Sequence, residues 1–346
     1  MRNDTRALFN KYTARIALLS GVASSAVMFT VEPSVAQKLE EKTQATSEFL
    51  TRINFYEVDQ QEGEKVGIGI TGTIAGRTNT ANADRQPIDP TGLTANSYRC
   101  EQTNFDTALK YAKLDAWRHK PEFQTIIRDA ILKRQGLDRM LIGWNGTSVA
   151  AQTDRAANPL LQDVNKGWIQ HVREDAPARV LDDGALSGAG KAIYVAAGAV
   201  GVEVDYVNLD ALVFDAIELL EEPYRDDTEL VVIVGRDLVH DKYFNIVNAA
   251  GDKATEQLAR DVLLSTKKIG GLPAVRVPGF PAGKLCITRL DNLSVYNQSG
   301  TRRRAIIDNP KRNQVENFES VNEAYVVEDY GIIAVVENIV MGKKPA

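Results

Sequence analysis

Apolar residues recur at helical spacing over the stretch Pro121–Trp144, near the middle of the chain. Pro121 suits a first helical turn, and Gly143 and Gly146 mark an end. About 25 residues at 1.5 Å each give a rod of roughly 37 Å. The pattern therefore predicts one long helix.

A compact α/β unit is predicted after this helix. Asn208 is placed to cap an apolar helix beginning at Leu209 and ending before Pro223. The apolar run Leu230–Val234 then predicts a short buried strand, followed by a helix over Asp237–Val247.

The last part of the chain has the pattern of strands. The prolines and glycines of Gly271–Pro281 favour an extended segment, because proline fixes φ and lacks a backbone donor. Strands separated by turn residues are predicted at Leu285–Leu290, Leu293–Tyr296, Arg303–Ile307, Ala324–Val327 and Ile332–Val340. The fold class is α+β.

The segment Val66–Asn104 is rich in Gly, Thr, Asn and Ala and poor in large apolar residues. It is too long for an ordinary connection. Val66, Ile68 and Ile70 alternate as in a strand. We predict a long two-stranded hairpin that projects from the body.

The N-terminal segment 1–29 differs in charge from the remainder. Four basic residues against Asp4 give it a net charge of +3, so the rest of the chain carries −8 of the total of −5. Its apolar side chains share one face of a helical wheel, and they are Leu8, Phe9, Tyr12, Ile16 and Leu19. A basic amphipathic helix is predicted.

A signal peptide competes with this interpretation, since Ile16–Phe29 is moderately apolar and Ser34, Val35 and Ala36 are small. Against it, charge extends to Arg15, serines and glycine dilute the apolar part, and a proline precedes the supposed cut. An ordinary docked terminal helix also remains open.

Composition excludes several classes of protein. The 346 residues are 44% hydrophobic and 25% charged, which is ordinary for a globular protein with a large core. The net charge of −5 carries no basic footprint of a nucleic-acid reader, and no apolar run approaches a membrane span. Cys100 and Cys286 stand too far apart for a zinc framework, and we expect both to be small buried residues.

Two glycine-rich stretches resemble nucleotide-binding loops. Gly67, Gly69 and Gly72 match the dinucleotide pattern, but no buried strand precedes them and no helical pattern follows. Gly184–Ala192 resembles a phosphate loop with wrong spacing and with alanine in place of the hydroxyl residue. Flexible strands and a surface turn are the better interpretations.

Chemistry-bearing clusters are sparse. The three histidines, His119, His171 and His240, are too far apart for a local metal pair. The sharpest basic cluster is Arg302-Arg303-Arg304, where strand alternation places Arg303 opposite Arg302 and Arg304. We expect Arg302 and Arg304 to form intersubunit ion pairs, although a phosphate contact is an alternative. No catalytic, cofactor or metal residues are predicted.

Several long motifs resemble the major capsid proteins of Peduovirus-type tailed bacteriophages, whose shells use the Hong Kong 97 fold. The resemblance runs over nearly the whole chain and rests on Phe29–Val35, Phe49–Asn54, Lys133–Asp138, Leu230–Asp237, Gly271–Pro281 and Tyr325–Tyr330.

The resemblance implies six regions. They are a cleavable assembly segment at 1–29, an N-terminal arm at 30–65, an extended hairpin loop at 66–104, a peripheral domain with a spine helix at 105–165, an axial domain at 166–275 and peripheral strands at 276–346. The implied maturation cut lies near Phe29 and Thr30. The loop, with Gly67, Gly69, Gly72, Arg77 and Arg85, would lie over a neighbouring subunit.

The implied function is assembly of an icosahedral head shell in the host cytoplasm. Implied partners are other copies in hexamers and pentamers, an internal scaffold and maturation protease, a portal protein and, as an optional partner, a decoration protein. Packaged DNA would be enclosed without sequence-specific binding, and no membrane is involved. The alternative from the residues alone is a soluble nucleotide-binding α/β enzyme near Leu230–Val247, which lacks a convergent catalytic set.

Overall fold

Two β-sheets meet across a shared apolar core in the computed structural model. The structure describes residues 1–65, 75, 77–78, 84–85, 87, 97–117, 123–186, 191–238 and 268–345. The shared core takes buried side chains from both sheets and from the helices between them, including Tyr325, Ile233, Met140 and Trp168.

The helices confirm the main helical predictions. They are α1 Asn3–Leu19, α2 Pro33–Gln44, α3 Glu48–Arg52, α4 Tyr111–Trp117, α5 Phe123–Asn145, α6 Trp168–Asp175 and α7 Leu209–Ile217. The long central helix is α5. The side chain of Asn208 accepts a hydrogen bond from the Ala211 N–H and caps α7, as predicted. Residues 236–238 are helical, and the rest of the predicted helix Asp237–Val247 lies outside the described residues.

The larger sheet has seven strands. They are β1 Phe29–Thr30, β2 Asn54–Val58, β5 Glu101–Asn104, β6 Thr107–Lys110, β13 Leu293–Gln298, β14 Arg303–Asn309 and β15 Gln314–Val327, while β3 Glu62–Glu64 and β4 Ser97–Arg99 form a separate pair. The order is β1-β14-β15-β13-β2, and β5 and β6 also pair with β15. Every pairing in this sheet is antiparallel except that of β13 with β2.

The remaining strands are β7 Val180–Leu181, β8 Ile193–Val195, β9 Val231–Val234, β10 Lys268–Ile269, β11 Leu272–Arg276, β12 Leu285–Thr288, β16 Ala334–Val336 and β17 Ile339–Met341. Six of them form the second sheet, in the order β10-β11-β9-β12-β16-β7, and β8 pairs with β17. All four residues of β9 are buried, as the apolar run predicted. Leu212, Val213 and Ala216 of α7 pack in the same apolar cluster as this sheet.

Two strand predictions and the prediction of an extended segment need correction. The predicted strand Ala324–Val327 is only the end of β15, which is 14 residues long. The predicted strand Ile332–Val340 divides into β16 and β17, because Asn338 between them adopts a left-handed φ of 58°. The extended segment Gly271–Pro281 is a strand only over β11 and then turns at Gly279, where φ is 76°.

An aromatic cluster joins α5 and α6. The Trp144 and Trp168 rings lie 4.9 Å apart, edge to face, and the Trp168 indole N–H donates to the Ser294 carbonyl at 3.0 Å. A Cβ on Gly143 would stand 2.3 Å from the Trp168 ring. Gly143 is therefore required for close helix packing, whereas the sequence suggested only a helix end.

Candidate assembly interfaces

The N-terminal helix α1 lies on an apolar surface of its own chain. Phe9, Tyr12 and Ile16, together with Met1, pack against a buried cluster made by Tyr111, Leu114, Ile306 and Val315. These α1 residues include three of the five predicted to share one face. The helix is thus docked on α4, β14 and β15.

Two carboxylates fix the position of α1. Asp308 accepts from the Arg6 guanidinium and from the Tyr111 hydroxyl. Burial opposes the charge on Asp308, but these hydrogen bonds outweigh it and hold its pKa below the usual range. Asp115 accepts from the Arg2 backbone N–H at 3.0 Å, which lowers the pKa of that carboxyl.

The predicted cut falls where α1 joins the sheet. Phe29 and Thr30 form β1 and pair antiparallel with Arg304 and Arg303 of β14. Phe29 is 8% exposed, whereas Val27 is 71% exposed and Met28 is 52% exposed. Open backbone therefore precedes a strand that is held by the sheet.

The base of the predicted hairpin is held on the body. Gly63 pairs with Tyr98 across β3 and β4, and the Tyr98 ring lies 4.9 Å from Tyr296, edge to face. The ammonium of Lys65 donates to the Val327 carbonyl at 2.7 Å and lies 4.0 Å from the Tyr330 ring centroid. The two described strands are therefore held on the body at this place.

Beyond that base, the structure describes only a few residues of the hairpin. Arg77 and Arg85 are exposed, whereas Gly67, Gly69 and Gly72 lie outside the described residues. The glycine pattern and the hairpin tip stay predictions.

A buried charge cluster joins the arm, the long helix and the sheet. The Arg139 guanidinium on α5 donates to Glu40 on α2 at 2.7 Å and to Glu323 on β15 at 2.8 Å. Arg302 donates to Glu319 at 3.0 Å and also binds Glu40. Both guanidiniums are almost completely buried. Since an unpaired buried charge is very costly, these contacts stabilise one arrangement of α2.

The two arginines change the ionisation of the acids around them. Burial opposes the charge on Glu40 and Glu319, but the guanidiniums outweigh it and hold both pKa values below the usual range. For Glu323, burial outweighs the attraction of Arg139 and raises the pKa. Glu40 and Glu319 are therefore stabilised in their ionised, negatively charged form.

Comparison with known proteins identifies the class of molecule. Residues 8–339 match the family model described as phage major capsid protein, P2 family. The chain belongs to this family.

Relatives with known names agree with the family. The chain is 50% identical over 351 residues to the capsid protein of Escherichia phage P2, covering 99% of this chain and 96% of the relative. It is 38% identical to the major capsid protein of Serratia phage KSP20, covering 98% and 97%. It also matches a solved procapsid of satellite phage P4 that includes the Sid size determination protein, with a TM-score of 0.82, 46% identity and complete coverage of both chains.

The chain is therefore a structural protein of a phage head shell and a component of the virion, not an enzyme. The alternative of a nucleotide-binding enzyme is wrong. The mixed helix and sheet fold of this chain matches that of a phage capsid subunit.

The histidines and cysteines lie apart from one another in the described part of the chain. No group of three or more His, Cys, Asp or Glu is placed to hold a metal ion among the described residues. His171 lies 3.6 Å from Asp175, and His119 and His240 fall outside the described residues. Both cysteines are buried and free, and burial raises the pKa of the Cys100 thiol to about 12. Where the chain is described, every helix is too short or too polar to cross a membrane.

The prediction of intersubunit ion pairs for the basic cluster needs a correction at Arg302. Arg303 is exposed and Arg302 buried, as the alternation predicted. However, Glu40 and Glu319 supply the partners of Arg302 within the same subunit, so no neighbour is needed for its charge. Arg304 donates to the Asn317 side chain at 3.0 Å and lies half-buried. An intersubunit pair for Arg304 stays a prediction.

Sequence reasoning missed Arg139, Glu40, Glu319 and Glu323. Their positions are far apart along the chain, and nothing local marks them as partners. The only available signal was the strand alternation of the three arginines, which turned one of them inward.

Proposed function

We propose that this capsid protein assembles with an internal scaffold, as hexamers and pentamers, into an icosahedral shell around packaged DNA. We further propose that residues 1–29 are an assembly segment removed on maturation near Phe29 and Thr30. The scaffold would carry or recruit the maturation protease, and assembly would take place in the host cytoplasm.

The observation that carries the maturation proposal is the contrast at the end of α1. The helix is docked, β1 is held in the sheet, and between them Val27 and Met28 are strongly exposed. A protease requires extended, accessible backbone, which docked helices and sheet strands do not offer. The junction is thus suited to a single cut, which would remove Phe29 from the two-residue strand β1 and leave the other pairings of the sheet in place.

The Hong Kong 97 assignment of regions is also a proposal. The β3 and β4 pair supports a projecting loop at 66–104, α5 supports a spine helix within 105–165, and the α7 cluster supports an axial domain at 166–275. The arm at 30–65 and the strands at 276–346 would complete the peripheral domain.

Further partners follow from the same function. A portal protein would occupy one vertex, and a decoration protein could bind the finished shell. The solved P4 procapsid includes a size determination protein, which supports the idea that shells of such subunits accept additional proteins. The packaged DNA would be enclosed without sequence-specific contacts.

Mass spectrometry of subunits from mature particles tests the maturation proposal. We expect every subunit to lack residues 1–29, while subunits assembled without the protease keep them. Intact Met1 or Arg2 throughout mature particles would contradict the proposal.

A further inference from the structure

A cleft of about 470 Å³ separates α1 from the arm helix α2. Its inner wall is apolar, with Phe29 and Val31 buried and Ile16, Val35 and Leu39 half-buried. Apolar side chains that line an open cleft gain stability when a partner covers them. The cleft therefore has a surface suited to apolar side chains of another molecule.

The edge of this cleft is strongly basic. Five cations line it, Arg15, Lys38, Lys42, Arg128 and Arg304, against the single carboxylate of Glu41. Arg128 is paired with Asp129 at 2.7 Å, whereas Arg15, Lys38 and Lys42 are exposed and form no ion pair with another described residue. Such a concentration of one sign is unusual in a chain whose net charge is −5.

We propose that this cleft, hereafter the basic cleft, binds an acidic amphipathic helix of a partner protein. Apolar residues along one stripe of that helix would cover Phe29 and Val31, and carboxylates beside the stripe would meet Arg15, Lys38 and Lys42. This deepens the scaffold contact proposed above and rests on it only for the identity of the protein that carries the helix.

The combination of wall and edge favours protein over nucleic acid. A phosphate backbone would use the five cations but would leave the apolar wall in contact with water. An amphipathic helix satisfies both parts. The cleft is also large enough for several side chains of a helix, though not for a folded domain.

The basic cleft exists only while the N-terminal segment is present. Tyr12, Arg15 and Ile16 of α1 form one side of it. Loss of residues 1–29 would remove this side together with Phe29. A partner held here would therefore lose its site at the cut, so one cleavage would both mature the subunit and release the partner.

Binding of a designed peptide to the full uncleaved chain tests the proposal. The probe is a fluorescein-labelled peptide of roughly 18 residues, five helical turns. It has leucine at i, i+3, i+4 and i+7, glutamate at the positions beside this stripe, and alanine and glutamine elsewhere, so that like charges do not oppose the helix. Competitors are a scrambled peptide of the same composition and a short DNA duplex. We expect saturable binding by fluorescence anisotropy, weakened by salt and not matched by the scrambled peptide.

A charge-matched pair of triple variants locates the site. Arg15→Glu, Lys38→Glu and Lys42→Glu together should weaken binding at least about tenfold. Lys11→Glu, Lys311→Glu and Arg312→Glu change the charge equally at exposed positions outside the cleft and should alter binding less than about twofold. Circular dichroism checks that both variants fold, and Lys38→Gln with Lys42→Gln gives a milder second test.

Three results would overturn the proposal: no peptide binding, equal losses in the two triple variants, or a scrambled peptide that binds as well. Tighter binding of the DNA duplex at the same residues would instead identify a polyanion site and would also refute it. Particles that keep residues 1–29 would contradict the proposed maturation alone, because peptide binding is measured on the uncleaved chain.

Discussion

Arg139 is 1% exposed and lies between two carboxylates from different parts of the chain. Its guanidinium compensates the negative charge of Glu40 and Glu323, which are too buried to be well solvated by water. Removing one member of such a group leaves the others buried and uncompensated, which costs more than the intact pairs contribute. The residue therefore acts as a structural requirement of the fold.

We expect Arg139→Met to lower the free energy of unfolding by about 3–5 kcal/mol. Arg134→Met on the same helix removes an exposed guanidinium that pairs with the half-buried Asp138 and should cost less than about 1 kcal/mol. Urea denaturation of both variants gives the comparison. Similar losses in the two would show that the buried cluster has no special weight.

Lys65 gives the base of the hairpin a pH dependence. Burial lowers the pKa of its ammonium to about 8, against attraction from Asp175, Glu328 and Asp329. The charged form is thus penalised in the folded state. Between about pH 8 and 10.5 the unfolded chain binds more protons at this site, so stability rises with pH through that window.

The variant Lys65→Met isolates this effect. Relative to the variant, the wild type should gain roughly 1–2 kcal/mol between pH 7 and pH 10, a range reduced for the partial exposure of the side chain. Lys110→Met removes the same charge at an exposed lysine of β6, away from the base of the hairpin, and serves as the control. Denaturant curves of the three proteins at several pH values give the comparison. A difference between wild type and Lys65→Met that stays constant with pH would refute the assignment.

At the scale of elements, the sequence correctly predicted the helices and strands that bury apolar side chains. Helix α5, the cap of α7 and strand β9 follow ordinary periodicity and were found where expected. The first ten residues of β15 were not predicted. Their buried positions include Asn317, Glu319 and Glu323, and polar residues at these positions indicate a solvent-exposed face when only the hydrophobic pattern is considered. The glutamates are buried because they pair with arginines that are distant in the sequence.

The arm helix α2 is the element that depends most on this cluster, because Glu40 binds both Arg139 and Arg302. We expect Glu40→Gln to increase hydrogen exchange across residues 33–44 at pH 7 and to lower stability by about 1–3 kcal/mol. Glu41→Gln changes the exposed neighbour and should have little effect.

The effect of Glu40→Gln should depend on pH. Since the pKa of Glu40 is lowered by folding, its contribution is complete above the ordinary value of 4.5 and is lost as the pH falls through the lower folded value. The stability difference between wild type and variant should therefore shrink in acid. A difference that persists unchanged at low pH would contradict the ion-pair explanation.

At the scale of the whole molecule, folding and assembly should be separable. The hairpin is anchored by Lys65 and Tyr98, and the described residues of its outer part, among them Arg77 and Arg85, are exposed. Deletion of Arg77–Asp89 should therefore leave a folded subunit that fails to close shells. The double substitution Arg77→Ala and Arg85→Ala shows whether charge alone is responsible.

Circular dichroism and sedimentation measure the two properties of the deletion variant. Loss of folding would mean that the outer hairpin packs on its own body. Closed particles would mean that it is dispensable between subunits. Either result would remove the main structural support for the hairpin as an intersubunit arm.

Strand β15 has a mechanical consequence for a shell. At about 3.3 Å per residue its 14 residues span roughly 46 Å. Strand β14 pairs with residues 314–320 and β13 with 323–327, while β6 and β5 pair with 314–317 and 320–323. The arm begins at β1, which pairs with β14 beside β15, and the hairpin joins β15 through β5. A force applied to the arm or to the hairpin would therefore be distributed over the hydrogen bonds between β15 and its neighbouring strands. In this way β15 couples the two segments mechanically.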